Sequence, residues 1–70
     1  MGMIPISLAA ARVNAKLTQA EVAEIMHVSK NTIVSWEAGT SEPKISQAQQ
    51  LSEIYKLPID MLIFLPTESN

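Results

Sequence analysis

The sequence predicts a small all-α domain of five short helices. Its 70 residues suffice for one domain, apolar residues recur at helical spacing, and no stretch alternates apolar and polar residues between turn signals. With 47% apolar and 17% charged residues, the chain has the composition of a folded domain rather than a disordered one. We expect a single domain over residues 1–70, with a core over about 6–64 and frayed termini at 1–4 and 66–70.

The first two helices are marked by their starts. Pro5 suits the first turn of the first helix, in which Leu8 and Ala11 then share one face. Thr18 and Glu21 have the spacing of a capping box, in which each side chain bonds a backbone N–H at the start of a helix. A second helix therefore begins after Thr18.

The third helix follows the second after a very short link. Ser29 is another N-cap residue, so the second helix must end by about Met26. From Ser29, Ile33 and Trp36 repeat at helical spacing until Gly39, which can adopt the left-handed conformation that ends a helix. Two helices joined by about three residues cross steeply, and this is the geometry of a helix-turn-helix.

The last two helices are separated by a proline. Pro58 ends the fourth helix and opens a short fifth helix over Ile59, Leu62 and Phe64. The apolar residues of the amphipathic fourth helix step by three, three and four positions: Ile45, Ala48, Leu51 and Tyr55.

Composition excludes several classes of function. The chain has no cysteine, so it has neither a disulfide framework nor a thiolate zinc site. His27 is the one histidine, and it lacks the partners needed for a metal site or for acid–base catalysis. No apolar run approaches the length of a membrane span. We therefore expect no enzyme activity, cofactor, metal, small-molecule ligand or membrane segment, and a soluble intracellular protein.

Three stretches combine into a longer motif: residues 17–23 (LTQAEVA), 28–33 (VSKNTI) and 36–39 (WEAG), followed by Pro43. The motif specifies caps, core and turn together, and it resembles the phage-repressor-like (Xre, Cro/cI-type) helix-turn-helix family over residues 6–64. The resemblance implies a lambda-repressor-like domain that binds double-stranded DNA as a transcriptional regulator in the cytoplasm of a bacterial or phage-infected cell. Helices 2 and 3 form the helix-turn-helix, and helix 3 enters the major groove.

The resemblance also implies which residues read the bases. Lys30, Asn31, Thr32 and Ser35 lie at the exposed start of the third helix, and their side chains have the donors and acceptors that base edges require. Val34 should lie beside them and contact a thymine methyl. The alternative is that these polar residues form an ordinary solvated helix face.

Further roles follow from the same resemblance. Gln19, at the start of the second helix, corresponds to the family's phosphate anchor, and Lys16 and Lys44 are candidates for additional phosphate contacts. Arg12 and Glu37 correspond to a structural ion pair that ties the first helix to the third. Separate solvation of these two charged side chains is the alternative.

Three helix ends depart from the family pattern. His27, Lys16 and Lys56 stand where family members often have glycine. If these residues adopt the left-handed conformation, each should carry a strain of about 1 kcal/mol.

Sequence-specific binding suggests a homodimer, because one reading helix covers only a few base pairs and a two-fold operator supplies two half-sites. Exposed apolar residues near the carboxyl end are the interface candidates: Met61, Ile63, Phe64 and Leu65. The local alternative is that these side chains cover the core. A different function on the same fold also stays open, namely a protein-interaction module such as an antitoxin-like neutraliser or an accessory subunit.

The net charge of −2 argues against tight electrostatic binding of DNA. Residues 1–45 carry four basic and four acidic side chains, whereas residues 46–70 carry one basic and three acidic side chains. The acidity thus belongs to the half assigned to dimer contacts. Because the reading half is neutral and Glu42 stands in the loop after the third helix, we expect weak non-specific affinity and a shallow salt dependence.

Overall fold

The computed structural model describes residues 5–63, and four α-helices account for most of them. Helices α2 and α3 pack against each other more extensively than any other pair of elements. The elements in chain order are strand β1 (Ile6–Ser7), α1 (Leu8–Asn14), α2 (Gln19–Met26), α3 (Lys30–Ala38), α4 (Ile45–Tyr55), a 3₁₀ turn (Ile59–Met61) and strand β2 (Leu62–Ile63).

The starts of α2 and α3 confirm the predicted caps. The Thr18 hydroxyl accepts a hydrogen bond from the Glu21 N–H at 3.0 Å, and the Glu21 carboxylate accepts from the Thr18 N–H at 2.8 Å. At α3 the Ser29 hydroxyl accepts from the Thr32 N–H at 3.2 Å. Because both signals act within one helical turn, they are readable from the local sequence.

The predicted start of the first helix at Pro5 is wrong. The N-cap of α1 is Ser7, whose hydroxyl accepts from the Ala10 N–H at 3.1 Å. The two residues before α1 are extended because they pair with β2, Ile6 opposite Leu62 and Ser7 opposite Ile63. Pro5 therefore lies before a strand rather than in a first helical turn.

A fifth α-helix is not present in the described residues, and this corrects the predicted five-helix count. Pro58 opens only a single 3₁₀ turn, closed by the Met61 N–H bonding the Pro58 carbonyl at 2.9 Å. Leu62 then extends into the parallel pairing with β1 and buries its side chain in the core. Two-residue strands are too short to show alternation in a sequence. Phe64, the last residue of the predicted fifth helix, lies outside the described residues, as do the predicted frayed termini at 1–4 and 66–70.

All four helices end in the same way. Each helix is followed by a left-handed residue, and the residue directly after it donates its N–H to the carbonyl five positions earlier, at 3.0–3.2 Å. This bond satisfies a carbonyl group that the helix leaves unpaired. This closure requires a left-handed residue, and at α3 that residue is Gly39 with φ 82°. At the other three ends Lys16, His27 and Lys56 have φ of 63°, 59° and 57°, as predicted.

One apolar core joins all the helices and β2. Trp36, which repeats with Ile33 at helical spacing in the sequence, belongs to it at 5% exposure. Leu17, Val28 and Leu57, the apolar residues that follow three helix ends, pack against its edge. The buried members are Leu8, Ala11, Val22, Ala23, Met26, Ile33, Trp36, Leu51, Tyr55 and Leu62. Across residues 5–63, no helix is long and apolar enough to cross a membrane.

Relief of left-handed strain should stabilise the domain. We expect His27→Gly to raise the free energy of unfolding by about 1 kcal/mol, because glycine adopts positive φ without a Cβ clash. For a domain of this size that corresponds to a rise in Tm of about 4–8 °C, measured by circular dichroism. Lys56→Gly should behave alike, whereas Gln49→Gly inside α4 should lower Tm. An unchanged or lower Tm for His27→Gly would contradict the strain argument.

Candidate nucleic-acid interface

The outer face of α3 carries a continuous stripe of small and polar side chains. Asn31, Val34, Ser35 and Ala38 recur at the spacing that places residues on one side of a helix. Asn31 and Ala38 are exposed, Val34 is 38% exposed and Ser35 is half-buried. Lys30 is exposed at the first position of α3. The structure thus leaves one face of α3 open for contact with a ligand, and Ala38 extends this face beyond the residues predicted from the sequence.

Thr32 is the least available of the predicted base-reading residues. It is half-buried, and its hydroxyl lies 3.0 Å from the Ser29 hydroxyl. Since a hydroxyl has one donor and two acceptor sites, this contact occupies one of the three and leaves the other two for a base. Its main local function is to complete the cap of α3.

Behind this face, Arg12 and Glu37 form an ion pair between α1 and the last turn of α3. Arg12 Nε donates to Glu37 Oε2 at 2.6 Å and Nη2 donates to Oε1 at 3.3 Å, while Nη1 bonds the Leu17 carbonyl at 3.0 Å. The two side chains are only 16% and 8% exposed. Arg12 therefore joins α1, the turn before α2, and α3 through one planar guanidinium group.

Gln19 belongs to the same network. Its Nε2 donates to Glu37 Oε1 at 3.0 Å, across the interface between the start of α2 and the end of α3. The sequence pointed to Gln19 and Glu37 separately but did not connect them. No local signal could have done so, because the two residues are on different helices and meet only when α2 and α3 pack.

The network and its burial shift the pKa values of two side chains. The hydrogen bond to Glu37 raises the pKa of Arg12 against the opposing effect of burial, so this side chain stays charged. Burial, reinforced by the negative charge of Glu37, raises the pKa of Tyr55 to about 12. The Tyr55 hydroxyl therefore remains neutral throughout the physiological range, and the network holds one positive and one negative charge.

Lys16 and Lys44 lie exposed at separate helix termini. Lys16 occupies the left-handed turn between α1 and α2. Lys44 is the N-cap of α4; its N–H donates to Gln47 Oε1 at 2.8 Å, but its own side chain makes no capping bond. A cation at a helix N-terminus opposes the helix dipole, so Lys44 is an unfavourable choice for the stability of α4.

The predicted dimer residues are only partly within the described structure. Met61 is half-buried and Ile63 contributes its backbone to β2. Phe64 and Leu65 lie outside the described residues. Beside this segment is an open groove of about 280 Å³ in which Ile45 is 77% exposed and Ile59 is 37% exposed.

Residues 5–63 contain no group of three or more histidine, cysteine, aspartate or glutamate side chains that could hold a metal ion. His27 is exposed in the turn between α2 and α3. It is the residue that ends α2 in the left-handed conformation, with φ 59°.

The helix-turn-helix geometry agrees with a comparison against known families. The sequence profile described as helix-turn-helix matches residues 8–62, from the first residue of α1 into β2. The chain therefore belongs to the helix-turn-helix family, a class of DNA-binding transcriptional regulators. No solved structure matches the chain.

The chain is also similar in sequence to a phage repressor. The chain is 40% identical over 52 residues to the cryptic phage CTXphi transcriptional repressor RstR of Vibrio cholerae. The match covers 74% of this chain and 47% of that relative, so the chain spans about half the length of the repressor that it resembles.

The raised pKa of Tyr55 predicts a loss of stability at alkaline pH. Above its ordinary pKa of about 10 the unfolded chain loses the hydroxyl proton, while the folded chain keeps it until about pH 12. Deprotonation thus favours unfolding, and the free energy of unfolding should fall by up to about 1.4 kcal/mol per pH unit across this window. Urea unfolding at several pH values measures the fall.

Tyr55→Phe is the matched control, because it removes the titrating hydroxyl and leaves the lysines in place. Its stability should vary less between pH 10 and 12 than that of the wild type. Equal pH profiles for the two proteins would contradict the assignment. Tyr55 is the one tyrosine in the chain, so its titration is also directly visible in the ultraviolet absorbance.

Proposed function

We propose that this protein is a sequence-specific transcriptional regulator of the phage-repressor type, which binds a two-fold DNA operator as a homodimer in the cytoplasm of a bacterial or phage-infected cell. The observation that carries the proposal is the open outer face of α3 within a family-matched helix-turn-helix. The RstR relative is a transcriptional repressor, which supports the same interpretation.

The α3 face supplies the chemistry for direct readout in the major groove. Asn31 can bond the N6 and N7 edge of adenine, and Lys30 can donate to guanine O6 and N7. Ser35 and the remaining capacity of Thr32 add less selective hydrogen bonds, whereas Val34 offers an apolar surface for a thymine methyl group. The small side chain of Ala38 allows close approach of the helix to the groove.

Phosphate contacts come from the ends of the neighbouring helices. Gln19 is the first residue of α2. A phosphate bonded to its side-chain amide would therefore lie near the free N–H groups at the start of this helix. Lys16 precedes this terminus in the turn, and Lys44 begins α4. Together these three residues position the protein on the DNA backbone without reading the sequence.

Acidic side chains near the proposed phosphate contacts limit how strongly the protein binds the DNA backbone. Glu21 is exposed in the first turn of α2, the same turn that carries Gln19, and its carboxylate repels phosphate. Glu42, also exposed, precedes Lys44 by two residues and weakens its attraction. Neutral donors therefore carry much of the contact, and specific binding depends on base readout more than on charge.

Dimerisation supplies a second reading helix, which would contact the second half-site of the operator. The exposed Ile45 and Ile59 lie beside the segment that contains Met61 and leads to Ile63, Phe64 and Leu65. This apolar surface supports a self-association contact at the end of the domain. In a dimer on B-form DNA, the two α3 helices would lie about 34–36 Å apart, one helical turn of the duplex.

Selection from a random DNA library tests the base-reading proposal. The wild type should enrich a sequence with two symmetric half-sites, and Lys30→Ala/Asn31→Ala should lose the preference with a penalty of about 1–3 kcal/mol for each lost pair of contacts. Gln49→Ala/Gln50→Ala, which changes two exposed polar residues of α4, is the control and should retain it.

Three results would contradict parts of this proposal. Failure to enrich any sequence would favour the alternative function of a protein-interaction module. Unchanged selectivity in the Lys30/Asn31 variant would remove α3 as the reading helix. Sedimentation showing one chain on the selected site would remove the homodimer.

We expect Lys44 to lower the stability of the domain and to strengthen its binding to DNA. Lys44→Ser creates an N-cap opposite Gln47, so we expect the free energy of unfolding to rise by about 1 kcal/mol. The same change removes one phosphate contact per subunit, so the slope of log K against log salt should become shallower by about 0.9 per subunit. Lys56→Gln removes a charge from the opposite end of α4 and should leave the slope unchanged.

The wild-type slope should be no steeper than about −6 per dimer, because few cations face the DNA. Thermal unfolding and fluorescence-based binding at several salt concentrations provide both measurements. A Lys44→Ser protein that binds DNA with the wild-type slope would exclude Lys44 from the interface.

A further inference from the structure

We propose that Glu37 is a positioning residue for DNA binding: it holds the Gln19 side-chain amide in place to donate to a phosphate. The inference rests on the proposed function and deepens it. In this arrangement Glu37 itself contacts no DNA and acts only through Gln19. It assigns to the Arg12–Glu37 pair a role in recognition in addition to its role in the fold.

The geometry provides a fixed acceptor for Gln19. Arg12 bonds both oxygens of the Glu37 carboxylate, at 2.6 Å and 3.3 Å, so the carboxylate has little freedom to rotate. Gln19 Nε2 donates to one of these held oxygens at 3.0 Å. With Glu37 only 8% exposed, water competes little for that oxygen.

The chemistry of the amide gives this contact a direction. A carboxylate only accepts hydrogen bonds, so it selects the nitrogen end of the Gln19 amide and not the carbonyl end. The nitrogen carries two N–H groups, of which Glu37 takes one. The second remains for an acceptor outside the protein, and a phosphate oxygen is such an acceptor.

Holding the amide also lowers the entropy lost on binding. A free glutamine side chain on a helix surface samples many rotamers, and fixing it on a ligand is unfavourable. Here the folded protein has already restricted Gln19 before DNA arrives. Preorganisation of this kind improves affinity without an additional contact.

A double-mutant cycle tests the inference on the full chain. One background is the wild type; the other is Arg12→Met/Glu37→Met, which replaces both charges with apolar side chains of similar length so that neither charge is left unpaired. In the wild type, Gln19→Ala should weaken binding to the selected operator about fivefold per subunit, the effect of one typical hydrogen bond. In the Met/Met background the same change should cost less than about twofold.

Two controls separate positioning from stability. Circular dichroism should show that both backgrounds are folded at the assay temperature, and Gln50→Ala on α4 should have no effect on affinity in either background. Equal effects of Gln19→Ala in the two backgrounds would overturn the inference, as would the absence of an effect in the wild type. In both cases DNA binding by the wild type would leave the proposed function standing.

A second measurement on the wild-type protein does not require the Met/Met background to fold. Nitrogen-15 relaxation of side-chain amides in the free protein should show Gln19 more ordered than the exposed Gln49 and Gln50. A Gln19 amide as mobile as those two would overturn the inference. If the wild type binds no DNA at all, the proposed function and this inference both fail.

Discussion

The arrangement of the helices depends on the ion pair between Arg12 and Glu37. The Glu37 carboxylate accepts hydrogen bonds from Arg12 on α1 and from the residue that begins α2. The Arg12 guanidinium also donates to the Leu17 carbonyl in the turn between these two helices. A largely buried pair of this kind contributes more to the choice of one arrangement than to net stability. Moving α3 by one residue would separate Glu37 from both partners, so the pair sets the register in which α2 and α3 present their ends.

Local signals made much of this fold predictable. Thr18 with Glu21, Ser29 and Gly39 act within one helical turn, and each cap lies where the sequence predicted. The prediction of a fifth helix was wrong because this segment does not depend on local signals. Leu62 and Ile63 take their conformation from pairing with β1, which is distant in the sequence. A short apolar segment after Pro58 has too few residues for periodicity to distinguish a helix from a strand.

The candidate interface likewise has features that the local sequence predicts and features that only the packed structure reveals. The exposed positions of α3 follow from helical spacing, and the resemblance to known repressors proposed which of them read bases. The contact between Gln19 and Glu37 required the packed structure, since it depends on the crossing of two helices. Net charge was a weak guide, because the acidic surplus lies towards the carboxyl end and the groups proposed to contact DNA include neutral donors.

The pairing of β1 with β2 also has a consequence for the order of folding. The helices and their caps form from neighbouring residues, and such local structure is fast. The two short strands come from opposite ends of the described chain, so their pairing closes a loop that contains every helix. The entropy of that closure is large compared with the few hydrogen bonds gained, unless docked helices already hold the ends near each other. The strands should therefore join last, and on unfolding they should separate first.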